Sequence, residues 1–406
     1  MSILSKYIAE SQSSCIHLNQ KATLNRHFQY GFAMKINSVC AIPVAIPVKR
    51  VGYFTRARRT AAMRTIVKIE CDNGVIGVGE TRGTAAAEIF RSRFADVLTG
   101  QTVTDAASLR SLCLPDRADY GYPDQLVDQS AYAALDMALL DCIGKDTGLP
   151  VYALLGGKCR VAAGFVAYEY TVDPSEGINL SDVPDRMAEK MAAAVASTGS
   201  NFVEFKVGVY PIATDIDTIA AVRDRLGPHI SIGVDANMAW NFDTADRFMA
   251  ATRAYGLSNM EEPVSNLADM NRLAERHGVN VSSHATSPET LRHYPAIDGA
   301  VGEPHAEGSL MGCRDVSERL AAIGKRYWFR SVWEAGISWA AMCHMGVAFP
   351  SLARPMQSLF NHLDDDLIEE TDFAMTGGAV EVPDRPGLGV TLDMAAVEAY
   401  RTDKAA

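Results

Sequence analysis

The sequence lacks any apolar run long enough to cross a bilayer. Its 406 residues are 48% hydrophobic and 21% charged, a composition typical of a globular chain in water. It also lacks an excess of basic residues, because the formal net charge is -11 and the pI is ≈ 5.3. Such a charge repels a phosphate backbone, and the nearest basic patch contains Arg56, Arg58, Arg59 and Arg64. We therefore expect no membrane or nucleic-acid partner, and interpret this patch as a solvated loop or a contact for an anionic small molecule.

Three catalytic signatures are missing as well. The eight cysteines are scattered without a CxxC pair, which fits reduced thiols in a cytoplasm better than a disulfide framework or a zinc site. No GxSxG elbow occurs, so a serine hydrolase is not expected. The stretch GVGETRG at residues 77–83 has GxGxxxG spacing and lies in a hairpin pattern rather than a βαβ unit. The pattern thus argues against a dinucleotide site.

The first 33 residues differ from those that follow. They have no basic region followed by an apolar stretch and a small-residue cleavage site, so no signal peptide is predicted. We interpret residues 1–33 as a disordered extension or an upstream start-site artefact. The expected location is the cytoplasm.

From Met34 onward the pattern predicts two kinds of structure. Residues 34–157 indicate an α+β domain, with strands up to about residue 81, a hairpin turn at Asp72-Asn73-Gly74, and helices thereafter. Over residues 158–370, short apolar strands alternate with amphipathic helices. So many successive βα units predict an α/β fold, a TIM-type (β/α) barrel rather than an open doubly wound sheet.

Ionisable residues stand at the predicted ends of the barrel strands. Reactive groups of a parallel barrel gather at the carboxyl ends of its strands, so these residues are expected to face one opening. This strand-end set recurs every 19 to 29 residues or so and comprises Lys206, Asp235, Glu261, His284, Glu303 and Arg330. Carboxylates without cysteine favour a hard divalent cation, which makes Asp235 and Glu261 the predicted ligands of Mg2+. Taken singly, each could instead be a helix N-cap or a loop charge.

Several motifs resemble one known family. The segments FKVG, VDANMAW and MEEP, with the earlier DMALLDCIGKDTGLPVYALLGG and the late TGGAVEVPDRPGLGVTLDM, are similar in order and spacing to the mandelate racemase-like branch of the enolase superfamily. Within it they resemble the glucarate dehydratases. The resemblance covers nearly all of the chain from Met34. It implies that residues 34–157 form a cap over a modified barrel, and that residues 371–406 complete this cap.

The resemblance also implies a reaction. Members of the family bind Mg2+ and abstract the proton α to a carboxylate, which requires roughly 8 to 20 kcal/mol off the barrier. Asp235 and Glu261 would hold the metal that stabilises the enediolate, and Lys206 would be the base, a known pattern of this superfamily. The expected function is a metal-dependent lyase that dehydrates a hydroxylated carboxylic acid, an acid sugar. A homo-oligomer is expected by the same resemblance.

Three features depart from the family pattern. Glu204 replaces the first lysine of the base strand, and we expect it to contact substrate, to keep Lys206 protonated, or to recruit a cation. His284 stands at the third metal position, so Mn2+ or another divalent metal is an alternative to Mg2+. Glu303 and Arg330 replace an Asp–His pair as the remaining catalytic candidates, and we predict an ion pair between them.

These departures leave alternative functions open. Arginine cannot act as a base, which argues against two-base racemisation and leaves a one-base reaction, with Arg330 free to bind a second substrate carboxylate. A racemase or epimerase of the same superfamily is one alternative. A non-catalytic ligand-binding protein on a decayed scaffold is the other.

Further substrate contacts are predicted around the barrel opening. Tyr53 and Arg56 belong to a hairpin that would close over ligand, although a plain surface hairpin fits equally well. Asn237 follows the strand that ends at Asp235. Tyr168 follows an earlier strand and is interpreted as a substrate contact or a core tyrosine.

Overall fold

The structure is a computed structural model that describes residues 34–55, 57–114 and 124–403. The predicted extension 1–33 and Arg56 lie outside the described residues. From Lys35 onward the chain belongs to one compact unit. Within the described ranges, every helix is too short or too polar to traverse a membrane.

The N-terminal part begins with a three-stranded antiparallel sheet. Its strands are β1 (Ile36–Phe54), β2 (Ala57–Cys71) and β3 (Ile76–Arg82), in the order β1-β2-β3. The turn between β2 and β3 has Gly74 at φ 84°, a conformation that glycine adopts without steric cost. This confirms the predicted hairpin turn.

Helices cover one face of this sheet, as the predicted α+β pattern requires. They are α1 (Ala86–Ile89), α2 (Ala95–Leu98), α3 (Ala106–Cys113), α4 (Asp124–Thr147) and α5 (Val151–Leu154), with a π-helical turn at Phe90–Phe94 joining α1 to α2. The long helix α4 packs directly on β3, where a Cβ atom at Gly79 would lie 1.9 Å from the backbone oxygen of Ala134. The two glycines of β3, Gly77 and Gly79, thus allow a close helix–strand contact.

A parallel barrel follows. After β4 (Ala162–Gly164), seven parallel strands are neighbours in strict chain order: β5 (Ala167–Glu169), β6 (Phe202–Lys206), β7 (Ser231–Asp235), β8 (Leu257–Glu261), β9 (Val281–Ser283), β10 (Gly299–Gly302) and β11 (Arg326–Phe329). Residues 352–357, the closing segment, complete the ring. Its Gln357 N donates to Phe329 O at 2.9 Å on one side, and its Met356 O accepts from Val166 N at 2.9 Å on the other. The predicted barrel is confirmed.

Helices alternate with these strands around the barrel. They are α6 (Val183–Thr198), α7 (Ile212–Leu226), α8 (Phe242–Thr252), α9 (Leu267–His277), α10 (Pro288–Leu291), α11 (Pro304–Glu307), α12 (Leu310–Ala322) and α13 (Gly336–Ala348), with 3-10 turns at Pro174–Glu176, Leu180–Asp182, Arg253–Tyr255 and Phe360–His362. Polar side chains cap several of them: Asn241, Asn266 and Ser309 each accept a hydrogen bond from a backbone N–H in the first helical turn. Helix α13 is buried along its whole length.

The C-terminal residues return to the N-terminal part. Strand β12 (Ala379–Glu381) pairs with β4, and helix α14 (Met394–Tyr400) ends next to Thr402, whose N–H donates to Pro43 O at 2.9 Å. Leu388 N donates to Asp141 Oδ1 at 2.8 Å. The domain boundaries given by the sequence stay a prediction, but the contacts with Pro43 and Asp141 agree with a cap to which the C-terminus contributes.

Replacing Gly79 by alanine tests the packing of α4 on β3. The new methyl group must displace the Ala134 carbonyl, so Gly79→Ala should lower the free energy of unfolding by about 1–3 kcal/mol in urea denaturation. Gly164→Ala is the matched control. Its Cβ would make only ordinary contacts, the nearest at 3.7 Å from Pro355 Cβ, and it should stay within about 0.5 kcal/mol of the parent. Equal stability of the two variants would contradict the described contact.

Candidate active site

The structure places the strand-end set where the sequence predicts. Strands β6, β7 and β8 end at Lys206, Asp235 and Glu261. The other three members directly follow β9, β10 and β11, as His284, Glu303 and Arg330. All six therefore stand at the same end of the parallel barrel.

A cavity of ≈ 340 Å³ lies above this end of the barrel. Five of the six strand-end residues line it, and Glu303 does not. From the N-terminal part, Phe54, Arg59, Met63 and Arg82 complete the wall. The cavity is thus enclosed jointly by the barrel and the cap, and its size is typical of a site for a small molecule.

Lys206 is held in a partly desolvated position. Its ammonium forms an ion pair with Asp235, and Nζ lies 5.4 Å from the ring centre of Phe54 and 5.6 Å from that of Tyr168. The residue is 8% exposed. The two rings and the Asp235 carboxylate fix the direction of the Lys206 amine. It points toward the cavity, which all four residues line.

The loop after β7 is strained. Asn237 and Met238 have φ angles of 47° and 59°, in the left-handed region that non-glycine residues rarely adopt. The strain is compensated because Asn237 donates from its backbone N to Asp235 Oδ1 at 2.8 Å and from Nδ2 to Oδ2 at 3.1 Å. Asn237 thereby fixes the Asp235 carboxylate and itself faces the cavity, as expected of a contact residue.

Glu261 and His284 form a second pair at the cavity. His284 Nε2 lies 3.1 Å from Glu261 Oε1, and Gln357 Nε2 donates to Glu261 Oε2 at 2.6 Å. Burial, reinforced by the charge of Asp235, raises the pKa of Glu261 to about 8. Burial, reinforced by Arg330, lowers the pKa of His284 to about 4. His284 is therefore a neutral imidazole at neutral pH.

These donors suit a divalent cation chemically. Two buried carboxyl side chains and a neutral imidazole are metal-ligand types, and a cation between Asp235 and Glu261 would lower the Glu261 pKa, which burial and the charge of Asp235 raise. In residues 34–55, 57–114 and 124–403, however, no three His, Cys, Asp or Glu side chains are already gathered in a metal-binding arrangement. Since Lys206 bonds Asp235 Oδ2, binding a metal there requires this ion pair to rearrange.

Glu204 is not where the sequence analysis expects it. Its carboxylate is fully buried inside the barrel, accepts hydrogen bonds from Arg354 and Gln357, and does not line the cavity. Glu204 thus pairs with Arg354 and Gln357, whereas Lys206 pairs with Asp235 instead of the expected Glu204. The physical reason is depth along the strand: residues two apart on a strand share a face, so Glu204 points into the barrel as Lys206 does, but from two residues before the strand end, where Arg354 pairs with it.

The predicted ion pair between Glu303 and Arg330 is present. Arg330 Nη2 donates to Glu303 Oε1 at 3.0 Å, and Arg82 Nη1 donates to the same oxygen at 3.1 Å. Glu303 is 1% exposed and lies behind both guanidinium groups. It does not face the cavity, which corrects its assignment as a residue in contact with reacting atoms. It fixes two arginines that do line the cavity.

The remaining predicted contacts divide into two groups. Tyr168 lines the cavity, with its ring against Lys206. Tyr53 lines an adjoining depression, which shares Phe54 and Asn237 with the main cavity. Arg56 lies outside the described residues. Its neighbour Arg58 donates to Asp173 Oδ2 at 2.6 Å and so fastens the tip of the β1–β2 hairpin to the barrel.

Several site residues were not predicted. Arg82, Gln357 and Trp333 line the cavity, beside Arg59 from the basic patch that the sequence already singled out. Trp333 (φ 66°) stacks on Tyr170 with ring centres 5.3 Å apart, and a Cβ atom at Gly52 would lie only 2.6 Å from its indole. A closed barrel needs an eighth segment, but ARPMQSLF has no regular apolar alternation, so Gln357 had no local signal in the sequence.

A buried cluster joins the cap to the loop after β11. Arg64 and Glu80 form a fully buried ion pair on β2 and β3. Glu80 also accepts from Ala335 N at 2.9 Å and Ser338 N at 2.8 Å, and Arg64 donates to Val332 O at 2.9 Å. Glu80 therefore links the cap sheet to the segment that precedes and begins α13.

Together, the fold and the cavity define a capped (β/α) barrel whose active groups stand at the strand ends. Comparison with known proteins agrees with this class. Residues 186–396 match the family model described as enolase C-terminal domain-like, and residues 39–156 match the mandelate racemase/muconate lactonizing enzyme N-terminal domain. The chain belongs to the enolase superfamily, in the mandelate racemase/muconate lactonizing enzyme group.

Individual relatives are more distant. A Streptomyces coelicolor protein named "Probable glucarate dehydratase" is 31% identical over 359 residues, which cover 81% of this chain and 82% of the relative. An enolase from the same species, solved without magnesium, has a TM-score of 0.83 at 26% identity, over 90% of this chain and 96% of its own. An enolase from Thermobispora bispora, complexed with magnesium and formate, has a TM-score of 0.80 at 26% identity, over 90% and 92%.

The buried carboxyl of Asp215, which contacts the loop after Lys206, should make the stability of the folded state depend on pH. Its Oδ2 accepts from Gly208 N at 2.9 Å, and burial raises its pKa to about 7. Between about pH 4 and pH 7 the folded state therefore keeps a proton that the unfolded state has lost, so Asp215 costs stability progressively as the pH rises. Asp215→Asn keeps the acceptor without the charge.

We expect the variant to gain stability over the parent at pH 8 and to show a smaller difference at pH 5, in denaturation curves measured at both values. The exposed Asp224→Asn on the same helix is the control and should show no such trend. A parent–variant difference that is independent of pH would show that Asp215 titrates normally.

Proposed function

We propose that this protein is a metal-dependent lyase that dehydrates a hydroxylated carboxylic acid, an acid sugar. One observation carries the proposal: the amine of Lys206, the pair Glu261 and His284, and the guanidinium of Arg330 face a single cavity of ≈ 340 Å³. An amine base, oxygen and nitrogen donors for a cation, and a separate cationic anchor are the groups that this reaction requires.

The relatives support the reaction class. The Streptomyces coelicolor relative is named "Probable glucarate dehydratase", and the Thermobispora bispora enolase was crystallised with magnesium and a small carboxylate, formate. In this chain Asp235, Glu261 and His284 would hold the metal. When bound, it would supply positive charge to the substrate carboxylate and so make the α-proton more acidic. Because His284 offers nitrogen, Mn2+ is expected to bind at least as well as Mg2+.

Lys206 would perform the proton transfers. In its neutral form the amine takes the α-proton, and the electrons of the broken C–H bond first spread into the substrate carboxylate. They form the C=C double bond when the C–O bond to the β-hydroxyl breaks. The resulting ammonium returns the proton to the departing oxygen, so that water leaves. Phe54 and Tyr168 keep solvent away from the amine during this transfer.

A single base suits the remaining residues. Arg330 stays protonated and cannot accept a proton, and Glu303 is buried behind Arg82 and Arg330. A racemase or epimerase with two opposed bases therefore has less support than a one-base elimination on the face of Lys206.

The ion pair between Lys206 and Asp235 favours a second candidate. An ammonium held by a carboxylate is not a base, and a chain fixed in this state would bind an acid without turnover. Such a ligand-binding protein shares the cavity with the proposed lyase but not its chemistry.

Exchange of the α-proton with solvent deuterium separates these two functions. With Mg2+ or Mn2+ and a panel of acid sugars, the parent should exchange the α-proton of one acid, as measured by NMR, and excess chelator should abolish this exchange. Lys206→Ala should lower the exchange rate by about 100- to 10,000-fold, the usual contribution of a general base.

Lys68→Ala is the matched control, because Lys68 pairs with Glu70 on the central strand of the cap sheet and does not line the cavity. It should exchange at the parental rate. Saturable binding of an acid without any exchange would instead support the ligand-binding protein.

Arg330 should determine which acids bind. If its guanidinium anchors a second carboxylate, Arg330→Met should raise KM for a hydroxylated diacid by about 10- to 100-fold, equivalent to a lost charge-assisted hydrogen bond. KM for the corresponding monoacid should change much less. A parallel rise for both acids would mean that Arg330 acts on the general field of the cavity rather than on one carboxylate.

A further inference from the structure

Glu204 belongs to a buried chain of polar contacts that ends at the cavity. Its two carboxylate oxygens accept from Arg354 Nη2 and from Gln357 Nε2. The Arg354 guanidinium lies between two aromatic rings, 4.1 Å from the ring centre of Phe202 and 4.4 Å from that of Trp328. This arginine is thereby held in one orientation, and the charge of Glu204 is neutralised inside the barrel.

The neighbouring strand leaves room for the Glu204 carboxylate. Gly233 is the direct partner of Glu204 in the β6–β7 register, and a Cβ atom there would lie 2.8 Å from Glu204 Oε2. Any other residue at 233 would push this carboxylate away from its partners. The site of Glu204 is thus shaped on three sides, by Arg354, Gln357 and Gly233.

Gln357 carries the chain of contacts to the active site. Its amide nitrogen has two hydrogens and donates to two carboxylates, those of Glu204 and Glu261, the latter at 2.6 Å. Its backbone is fixed in the barrel wall, because Gln357 N donates to Phe329 O. With Glu261 Oε2 held by this amide, Glu261 Oε1 points to His284.

We propose that Glu204 is a positioning residue: anchored by Arg354, it orients the Gln357 amide, and this amide fixes Glu261 in the orientation in which Glu261 and His284 face the cavity together. Glu204 itself touches no substrate. The inference rests on the proposed function only in treating Glu261 as a ligand of the catalytic metal. It assigns Arg354 and Gln357, on a segment without a recognisable motif, to the support of that ligand.

Crystal structures of metal-free variants test the positioning directly. In Glu204→Leu the Gln357 amide loses one acceptor, and we expect the amide to turn and the Glu261 carboxylate to leave its contact with His284. Glu204→Gln keeps an acceptor oxygen and should retain the parental Glu261 conformation. An unchanged Glu261 side chain in Glu204→Leu would overturn the inference, whatever the enzyme's activity.

Metal affinity gives a second readout, with Mn2+ alone as the probe. Glu204→Leu and Gln357→Leu should each weaken Mn2+ binding by about 10- to 100-fold, as loss of an outer-shell partner usually does. The double variant should bind no more weakly than either single one, because both act through one contact. Glu204→Gln should stay within about threefold of the parent.

The control Val203→Ala creates a cavity in the adjacent barrel core and should lower the melting temperature without altering Mn2+ affinity. If Glu204→Leu fails to fold, Gln357→Leu gives the same test without an unpaired charge. Additive losses in the double variant would overturn the shared path. If the parent binds Mn2+ and Glu261 moves in Glu204→Leu, but the parent exchanges the α-proton of no acid, the proposed lyase is refuted and the positioning role stays intact.

Discussion

Lys206, Asp235 and Glu261 are direct partners across three adjacent parallel strands. Neighbouring strands lie about 4.8 Å apart, so these three ionisable groups necessarily lie close enough to interact. Their mutual field accounts for the Lys206–Asp235 ion pair and part of the raised pKa of Glu261. The rest of the site arranges itself around this row: aromatic rings cover the amine, an asparagine loop holds the central carboxylate, and an amide from the closing segment holds the third residue.

Much of this row could be predicted from the sequence, since it depends on local pattern. A short apolar strand followed by a polar residue and a helix, repeated at the spacing of one βα unit, places each polar residue at the same end of a barrel. The positions of Asp235 and Glu261 follow from this rule alone. The positions of His284 and Arg330 follow from it as well. The ion pair of Arg330 with Glu303 could be predicted because Glu303 stands at the end of the neighbouring strand.

The parts that could not be predicted depend on distant residues. Glu204 accepts a hydrogen bond from Arg354, 150 positions later in the chain. No local sequence pattern specifies which lysine, arginine or cation pairs with a buried carboxylate. The closing segment lacks the alternation of a strand, so Gln357 gave no signal. Arg64 and Glu80 bind the backbone around residues 332–338, a loop whose path depends on the whole barrel. Sequence pattern therefore predicts the residues at the strand ends better than the distant residues that hold them in position.

The close contact between Gly52 and Trp333 limits which substitutions this part of the site accepts. Because a methyl group at residue 52 would overlap the indole of Trp333, the seam between cap and barrel tolerates little variation. Side chains that project from the cap into the cavity, such as Arg59 and Met63, are free of that restriction. A lineage adapting to a different ligand would thus diverge first at the cap residues that line the cavity, while the contact between Gly52 and Trp333 stayed the same.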